Sequence, residues 1–256
     1  MDPEDGMQSK GKKNLAVYIR KTIFNNERQL GEYDMKNFRV IEVKQDIFAD
    51  NNQKADELRA KLKEEQTCLI NLMSSPGAGK TTTLTRLLET LPFQMGVMEA
   101  DIDGDCDAQT IEENTKAKVI QLHTGGMCHL DCAMTKAGLE ELNAKDLDLV
   151  FLENVGNLVC PAEFDTGAHL NMMILSVPEG DDKPLKYPLV FEVCSILIVN
   201  KMDVLPYFDF DLERFKENAL KRNPNLKIFA VSAKTGEGIP ELSEYLTKQV
   251  KEICHA

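Results

Sequence analysis

Residues 125–132 read GGMCHLDC, which sets the thiol of Cys128 against the imidazole of His129 and adds a second thiol, Cys132. Thiolate and imidazole together suit soft and borderline ions such as zinc, nickel and copper. Consecutive side chains diverge on a regular helix or strand, so Cys128 and His129 can meet on one ion only from a loop or a helix entry. The Gly125-Gly126 pair supplies such a loop. Cys160 is a third candidate ligand. Three ligands are one short of a closed tetrahedral zinc site, a number that suits an open or subunit-shared site able to release its ion. Cys132, within LDCAMTKAGLEEL, is expected to face the core. The competing reading is a set of reduced cysteines near a hydrogen-bonded histidine, and residue types alone leave both readings standing.

A second constellation binds phosphate. In LINLMSSPGAGKTTTLTRLLETL an apolar run ends at Met73, a loop follows, and Lys80-Thr81-Thr82 open a Leu-rich helix. Gly77, Ala78 and Gly79 let backbone amides turn inward around an anion, and the helix N-terminus adds positive potential. Lys80 can reach the β- and γ-phosphates, and the Thr81 hydroxyl can ligate Mg²⁺. The usual motif begins with Gly where this chain has Ser74, so the first turn is expected to differ while the 79–81 cradle holds.

Base choice is written further along. Asn200-Lys201-Met202-Asp203 follows the apolar run SILIV. The Asp203 carboxylate can accept two hydrogen bonds from the N1–H and exocyclic amine of guanine, a paired donor edge that adenine lacks. The Lys201 stem can cover the base, and Asn200 can tie this loop to the phosphate cradle. Ser232-Ala233-Lys234 follows a later strand and offers a backbone amide to the guanine oxygen. Such a tetrapeptide alone is usually a solvated turn; after a phosphate loop it indicates GTP.

Two acids complete the set. DLVFLENVG ends an apolar run at Glu153, and a carboxylate there faces the crevice where parallel sheets bind ligands. Glu153 is a candidate Mg²⁺ ligand, direct or through water, and the Gly156 amide is placed to sense a γ-phosphate. In EADIDGDCD, Asp101 stands nearest the strand end and is a candidate for Mg²⁺ or for positioning the attacking water. The alternating acids Asp101, Asp103, Asp105 and Asp107 lack the Gly and Glu spacing of a calcium loop. A solvated acidic loop is the bland alternative.

The elements that must position these groups are short apolar strands alternating with helices. Strands are expected at CLINLM, FQMGVME, AKVIQLH, DLVFLENV, LNMMILSV, SILIVNK and KIFAVSA, with helices beginning near Lys80, Ala108, Leu130, Leu212 and Pro240. This order implies an α/β fold, a mostly parallel sheet flanked by helices, of the P-loop NTPase type. Residues 1–37 are polar and aperiodic and are expected to form a flexible arm. Residues 38–256 then form the nucleotide-binding domain, with FRVIEVKQDI as a strand and residues 51–65 as a helix before it.

Of the 256 residues, 43% are hydrophobic and 28% charged, consistent with a packed core. The net charge of −12 argues against a nucleic-acid binder that neutralises phosphates. No apolar run approaches membrane-spanning length and the first residues lack a signal-peptide core, so a cytoplasmic location without a membrane partner is expected. Seven cysteines without framework spacing read as free thiols, core residues or ligands. Cys68 and Cys194 are expected to be packing residues, and Cys254-His255 to lie in a frayed tail.

The blocks SSPGAGKTT, GGMCHLD, ENVGNLVCPAEFDTG, VPEGDDKPLKYP and VNKMD, in that order, closely resemble the HypB family of GTPases, which assist nickel insertion into [NiFe]-hydrogenase. The resemblance implies a G domain of the SIMIBI class with GTP and Mg²⁺, a homodimer promoted by GTP, and a nickel or zinc site at the subunit interface. Cys128, His129 and Cys160 fall on the family's metal-ligand positions. It also implies a hydrogenase accessory metallochaperone and the hydrogenase large subunit as partners. Some members carry an N-terminal Cys-x-x-Cys-Gly-Cys motif or a histidine-rich tract. Here no cysteine precedes Cys68 and no histidine precedes His123, so the G-domain site is the expected nickel carrier. The rival expectations are a related GTPase serving urease or a cobalamin-dependent mutase, and a zinc-structured nucleotide sensor with negligible turnover.

Overall fold

Seven short apolar segments, each too hydrophobic to leave a face in water, assemble as a sheet covered on both sides. The computed structural model of the protein describes residues 44–101 and 106–254. In chain order the elements are α1 (Lys44–Glu64), β1 (Cys68–Ser74), α2 (Lys80–Thr90), β2 (Met95–Asp101), α3 (Cys106–Asn114), β3 (Lys118–His123), α4 (Cys132–Leu142) and β4 (Leu149–Glu153). There follow α5 (Cys160–Glu163), β5 (Leu170–Ser176), α6 (Lys183–Lys186), α7 (Pro188–Val193), β6 (Ile196–Asn200), α8 (Leu212–Arg222), β7 (Lys227–Ala230) and α9 (Ile239–Cys254). The strand order is β3-β2-β4-β1-β5-β6-β7, and every pairing is parallel. No helix of the described residues is long and apolar enough to cross a membrane.

Strand periodicity divides the core. Cys68, Ile70, Leu72, Val97, Leu149, Phe151, Met172, Ile174, Ile196 and Ile198 turn to one face, where Leu84 and Leu87 of α2, Ile111 of α3 and Leu242 and Leu246 of α9 cover them. On the other face Leu69, Met98, Val150 and Leu152 meet α1 and α4. Met173, Leu175, Leu197 and Val199 meet α7 and α8 there. The alternation has a consequence for chemistry. Counting on from Val97 and Phe151, Glu99, Asp101 and Glu153 fall on the α2 face at the carboxyl ends of their strands, beside the helix that the phosphate loop opens.

All seven expected strands and the helices near Lys80, Ala108, Leu130, Leu212 and Pro240 are present. The fourth of these begins at Leu212 because the Asp211 side chain caps it, accepting from the Arg214 amide; α4 starts two residues later than expected because Asp131 caps it in the same way, accepting from Met134. One expectation is corrected. Residues 44–47, the end of the proposed strand FRVIEVKQDI, are the first turn of α1. The helix whose stripe of Asn51, Ala55, Leu58 and Leu62 is buried against the sheet extends back through them. Residues 38–43 of that strand, the arm 1–37, and Asp103, Asp105 and His255 lie outside the described residues.

Three short helices escaped the sequence reading: α5, α6 and α7. Each has Pro in its first turn, where a missing N–H costs nothing. Cys68 and Cys194 are buried core residues, as expected. Cys254 is a second correction. It is 5% exposed, the last residue of α9, and packs in the core beside Cys68 instead of fraying. The apolar stripe Leu242, Leu246, Val250 continues one turn further to it.

Candidate functional site

The phosphate loop is built on β1. Ser74 is still regular strand, paired with Ile174, and its hydroxyl donates to the Ser75 carbonyl at 2.8 Å. The turn begins only at Ser75, so a glycine at position 74 would serve no backbone purpose. Left-handed backbone is needed at Gly77 (φ 74°) and Gly79 (φ 94°). A Cβ on Gly79 would stand 2.5 Å from Nδ2 of Asn200, so two independent constraints require glycine there.

Around this loop the expected residues converge. Lys80 Nζ lies 3.9 Å from Oε1 of Glu153, and the Thr81 hydroxyl donates to the same oxygen at 3.3 Å. Glu153 is fully buried, and a carboxylate there is tolerable only with cationic or hydrogen-bonding partners. Glu99 is paired in register with Glu153 across the β2–β4 ladder, and Asp101 stands two residues beyond it, half-buried at the end of β2. A hydroxyl and carboxylates, all hard oxygen donors, fit a Mg²⁺ ion.

The base-reading loop is tied to the same cradle. Asn200 donates from Nδ2 to the Ala78 carbonyl at 2.9 Å, and its Oδ1 accepts from the Ala233 amide at 3.1 Å. One side chain thus locks the phosphate loop to both guanine-reading segments. Lys201, at φ 62°, donates to the Gly77 carbonyl at 2.6 Å. Ser232 donates to Oδ1 of Asp203 at 2.7 Å and accepts from the Thr235 amide, which fixes the carboxylate's direction. The Ala233 amide is engaged with Asn200, and Lys234 follows it on the exposed turn.

Sequence reasoning missed Glu179. Its carboxylate accepts from the Ser176 amide and hydroxyl, both at 2.7 Å, and meets the Ser75 hydroxyl of the phosphate loop. The signal was present as Ser176-Val-Pro-Glu179, a capping-box spacing. Also missed was a buried asparagine chain. Asn154 donates to Asn71, which donates to Asn171, while the Val155 amide donates back to Asn154. An Asn inside or at the end of an apolar run is the trace this chain leaves in the sequence.

Gly156 follows directly, and a Cβ there would stand 3.3 Å from Pro76 of the phosphate loop. Between Ser75 and Pro76 on one side, residues 156–159 on the other, and Glu179 and Lys183 below, lies a cavity of about 410 Å³. Four residues beyond Gly156, Cys160 opens α5.

The thiol–imidazole corner lies between β3 and α4. Gly125 (φ 62°) and Gly126 (φ 91°) turn the chain after β3, so residues 128–131 approach α4 as a loop. Cys128 Sγ and His129 Nδ1 are 3.9 Å apart. The neighbouring Cys160 thiol, through a hydrogen bond, pushes the Cys128 thiol above its ordinary value. Burial lowers the His129 pKa against the pull of Asp131 and Glu163, favouring the neutral imidazole that can ligate. Cys132 turns into the core at 2% exposure, and desolvation raises its thiol. Among the described residues no group of three or more His, Cys, Asp or Glu side chains closes around an ion. The three candidates share a corner and leave it open.

A sequence model described as "CobW/HypB/UreG, nucleotide-binding domain" matches residues 68–230. The hydrogenase maturation factor HypB of Azotobacter chroococcum is 43% identical over 213 residues, 82% of this chain and 70% of that one. The hydrogenase/urease maturation factor HypB of Helicobacter hepaticus is 42% identical over 217 residues, 83% of this chain and 89% of that one. The crystal structure of HypB from Helicobacter pylori in complex with nickel superposes with a TM-score of 0.75 at 35% identity, covering 80% of this chain and 97% of that one. HypB from Archaeoglobus fulgidus gives 0.73 at 33% identity, covering 79% and 99%.

Proposed function

This chain belongs to the HypB family of hydrogenase maturation GTPases, and from that premise we propose that it couples the state of its bound guanine nucleotide to nickel held by Cys128, His129 and Cys160. The observation that carries this reading is a run of a few residues. Gly156 abuts the phosphate loop at Pro76, and the Cys160 thiol four residues later stands near enough to Cys128 to raise that thiol's pKa. A γ-phosphate that displaces residues 153–156 pulls a sulfur of the cargo corner with it.

Lys80 and the amides of residues 77–82 bind the phosphates and stabilise charge on the transferred group. Thr81 and Glu153, with Asp101, would hold Mg²⁺, which when bound neutralises charge on the β- and γ-phosphates. Asp203, directed by Ser232, accepts from the guanine edge, while Asn200, Lys201, Ala233 and Lys234 order the pocket around it. The open corner suits cargo better than a permanent metal. A second copy completing it in a GTP-promoted homodimer supplies the remaining ligands, with nickel, or zinc in its place, between the subunits. A hydrogenase accessory metallochaperone and the hydrogenase large subunit are the partners in transfer, in the cytoplasm.

Coupling in binding free energy is reciprocal: nickel must change GTP affinity by the factor by which GTP changes nickel affinity. Titration of nickel into the GDP form and into the form with a non-hydrolysable GTP analogue tests this. Different affinities are expected, with a change of subunit mass. Equal affinities would defeat the coupling and leave a nucleotide hydrolase. The Helicobacter relative, named for both hydrogenase and urease, favours a second recipient, which capture of a urease subunit by the nickel-loaded protein would reveal.

A further inference from the structure

The candidate ligands lie on two loops, residues 124–131 and the turn into α5, and both loops are held by a helix that belongs to neither. Asn51 of α1, 8% exposed, donates from Nδ2 to the Asp165 carbonyl at 2.8 Å, just beyond α5. Its Oδ1 accepts from the Cys132 amide at 3.0 Å, where the ligand loop enters α4. Two turns on, Arg59 donates to both carboxylate oxygens of Asp165, at 2.7 and 3.3 Å, and to the Ala168 carbonyl at 2.7 Å.

The same helix reaches the imidazole through two rings. The His129 ring stacks on Phe164, with centroids 3.8 Å apart and planes 14° from parallel. Phe48 of α1 backs Phe164 at 5.0 Å and 45°. Phe48 and Asn51 are three residues apart and so share one helix face. An imidazole offers its lone pair in the plane of the ring. A near-parallel stack therefore fixes the plane in which that lone pair can be presented, and rotation of the ring would forfeit the stacking. The ring edge bearing Nδ1 already faces the Cys128 thiol. Partners of this kind behind a metal-bound histidine set ligand direction and hence affinity.

We propose that Phe164, backed by Phe48 and with Asn51 bracing the two loops, is a positioning residue for the cargo metal, so that α1 sets the angle at which His129 meets an ion shared with Cys128 and Cys160. The inference rests on the nickel reading above and adds to it a control element outside the nucleotide machinery. A displacement of α1 alters nickel affinity without touching GTP.

The test uses the full chain, Ni²⁺ titrated against a chromogenic chelator, and the thiolate-to-nickel charge-transfer absorption. Phe164→Leu is expected to weaken nickel binding about tenfold, the lower end of what is lost when a group orienting a metal ligand is removed. It should also displace the charge-transfer band while GDP affinity stays unchanged. Phe164→Tyr, which keeps the stacking face, restores both readings. Phe48→Leu gives a smaller loss of the same spectral kind, and that loss disappears in a Phe164→Leu background because the two rings act in series. Should Phe164→Leu fail to fold by circular dichroism, Phe48→Leu and Phe164→Tyr carry the test. Wild-type nickel affinity and spectrum in folded Phe164→Leu or, in its absence, Phe48→Leu, beside a Cys128→Ala protein that has lost nickel, overturns the brace alone. Undiminished nickel binding by Cys128→Ala overturns the brace together with the reading beneath it.

Discussion

Gly79 shows how tightly a single position can be specified. Its φ of 94° suits glycine, and Asn200 Nδ2 occupies the space where a Cβ would project. Gly79→Ala is expected to push Asn200 off the Ala78 carbonyl and abolish measurable GDP binding, read by calorimetry, in a chain that still folds. Asp203 is specified by chemistry instead of space. Asp203→Asn replaces one acceptor with a donor, and GTP affinity should fall about 100-fold or more. Xanthosine triphosphate, which carries an oxygen where guanine carries the amine, should gain correspondingly. Equal losses for both nucleotides would remove Asp203 from base reading.

At the scale of elements, α1 matters more than its weak amphipathic pattern suggests. Its stripe of Asn51, Ala55, Leu58 and Leu62 is buried against β1, β4 and the 165–169 segment. Leu58 closes over Gly167, where a Cβ would come within 2.8 Å of the leucine. Leu58→Ala is expected to cost about 2–5 kcal/mol, read as a lower urea midpoint with unchanged slope. Short helices around the site behave differently. The four residues of α5 could not form alone, since nucleating a helix costs more than one turn returns. Tertiary contacts hold α5, and under the proposed coupling the turn into it is where movement at Gly156 would reach Cys160.

For the whole molecule, the sheet sorts the cysteines. Cys68, Cys132, Cys194 and Cys254 are buried, whereas Cys128 and Cys160 are half-exposed at the open corner. Of these six, only Cys128 and Cys160 are expected to react rapidly with a bulky thiol reagent in the native protein; the other four should wait for unfolding. Mass spectrometry of the labelled peptides checks this. Rapid labelling of Cys254 would show that α9 frays at its end despite the packing of Val250 and Cys254. Nickel present before labelling should protect the reactive pair.

Much of this was legible in the chain because the signals are local. A strand, a glycine turn and a Lys-Thr helix start lie within about fifteen consecutive residues, and the physics of anion binding needs nothing from elsewhere. Alternating apolar runs and helices fix a parallel sheet for the same reason, and the order of motifs fixes the nucleotide. Contacts across the chain could not be read that way. Asn51 meeting Cys132 and Asp165, Glu179 meeting Ser75, Phe48 behind Phe164 and His129, and Cys254 against Cys68 each join residues far apart in sequence. Such pairings follow from which strands become neighbours and which helix covers which face, and long-range burial decides both. The sequence determined what chemistry each residue type can perform; only the tertiary structure decided which residues hold the corner of Cys128 and His129 in place, because burial across the sheet, not proximity in the chain, selects them.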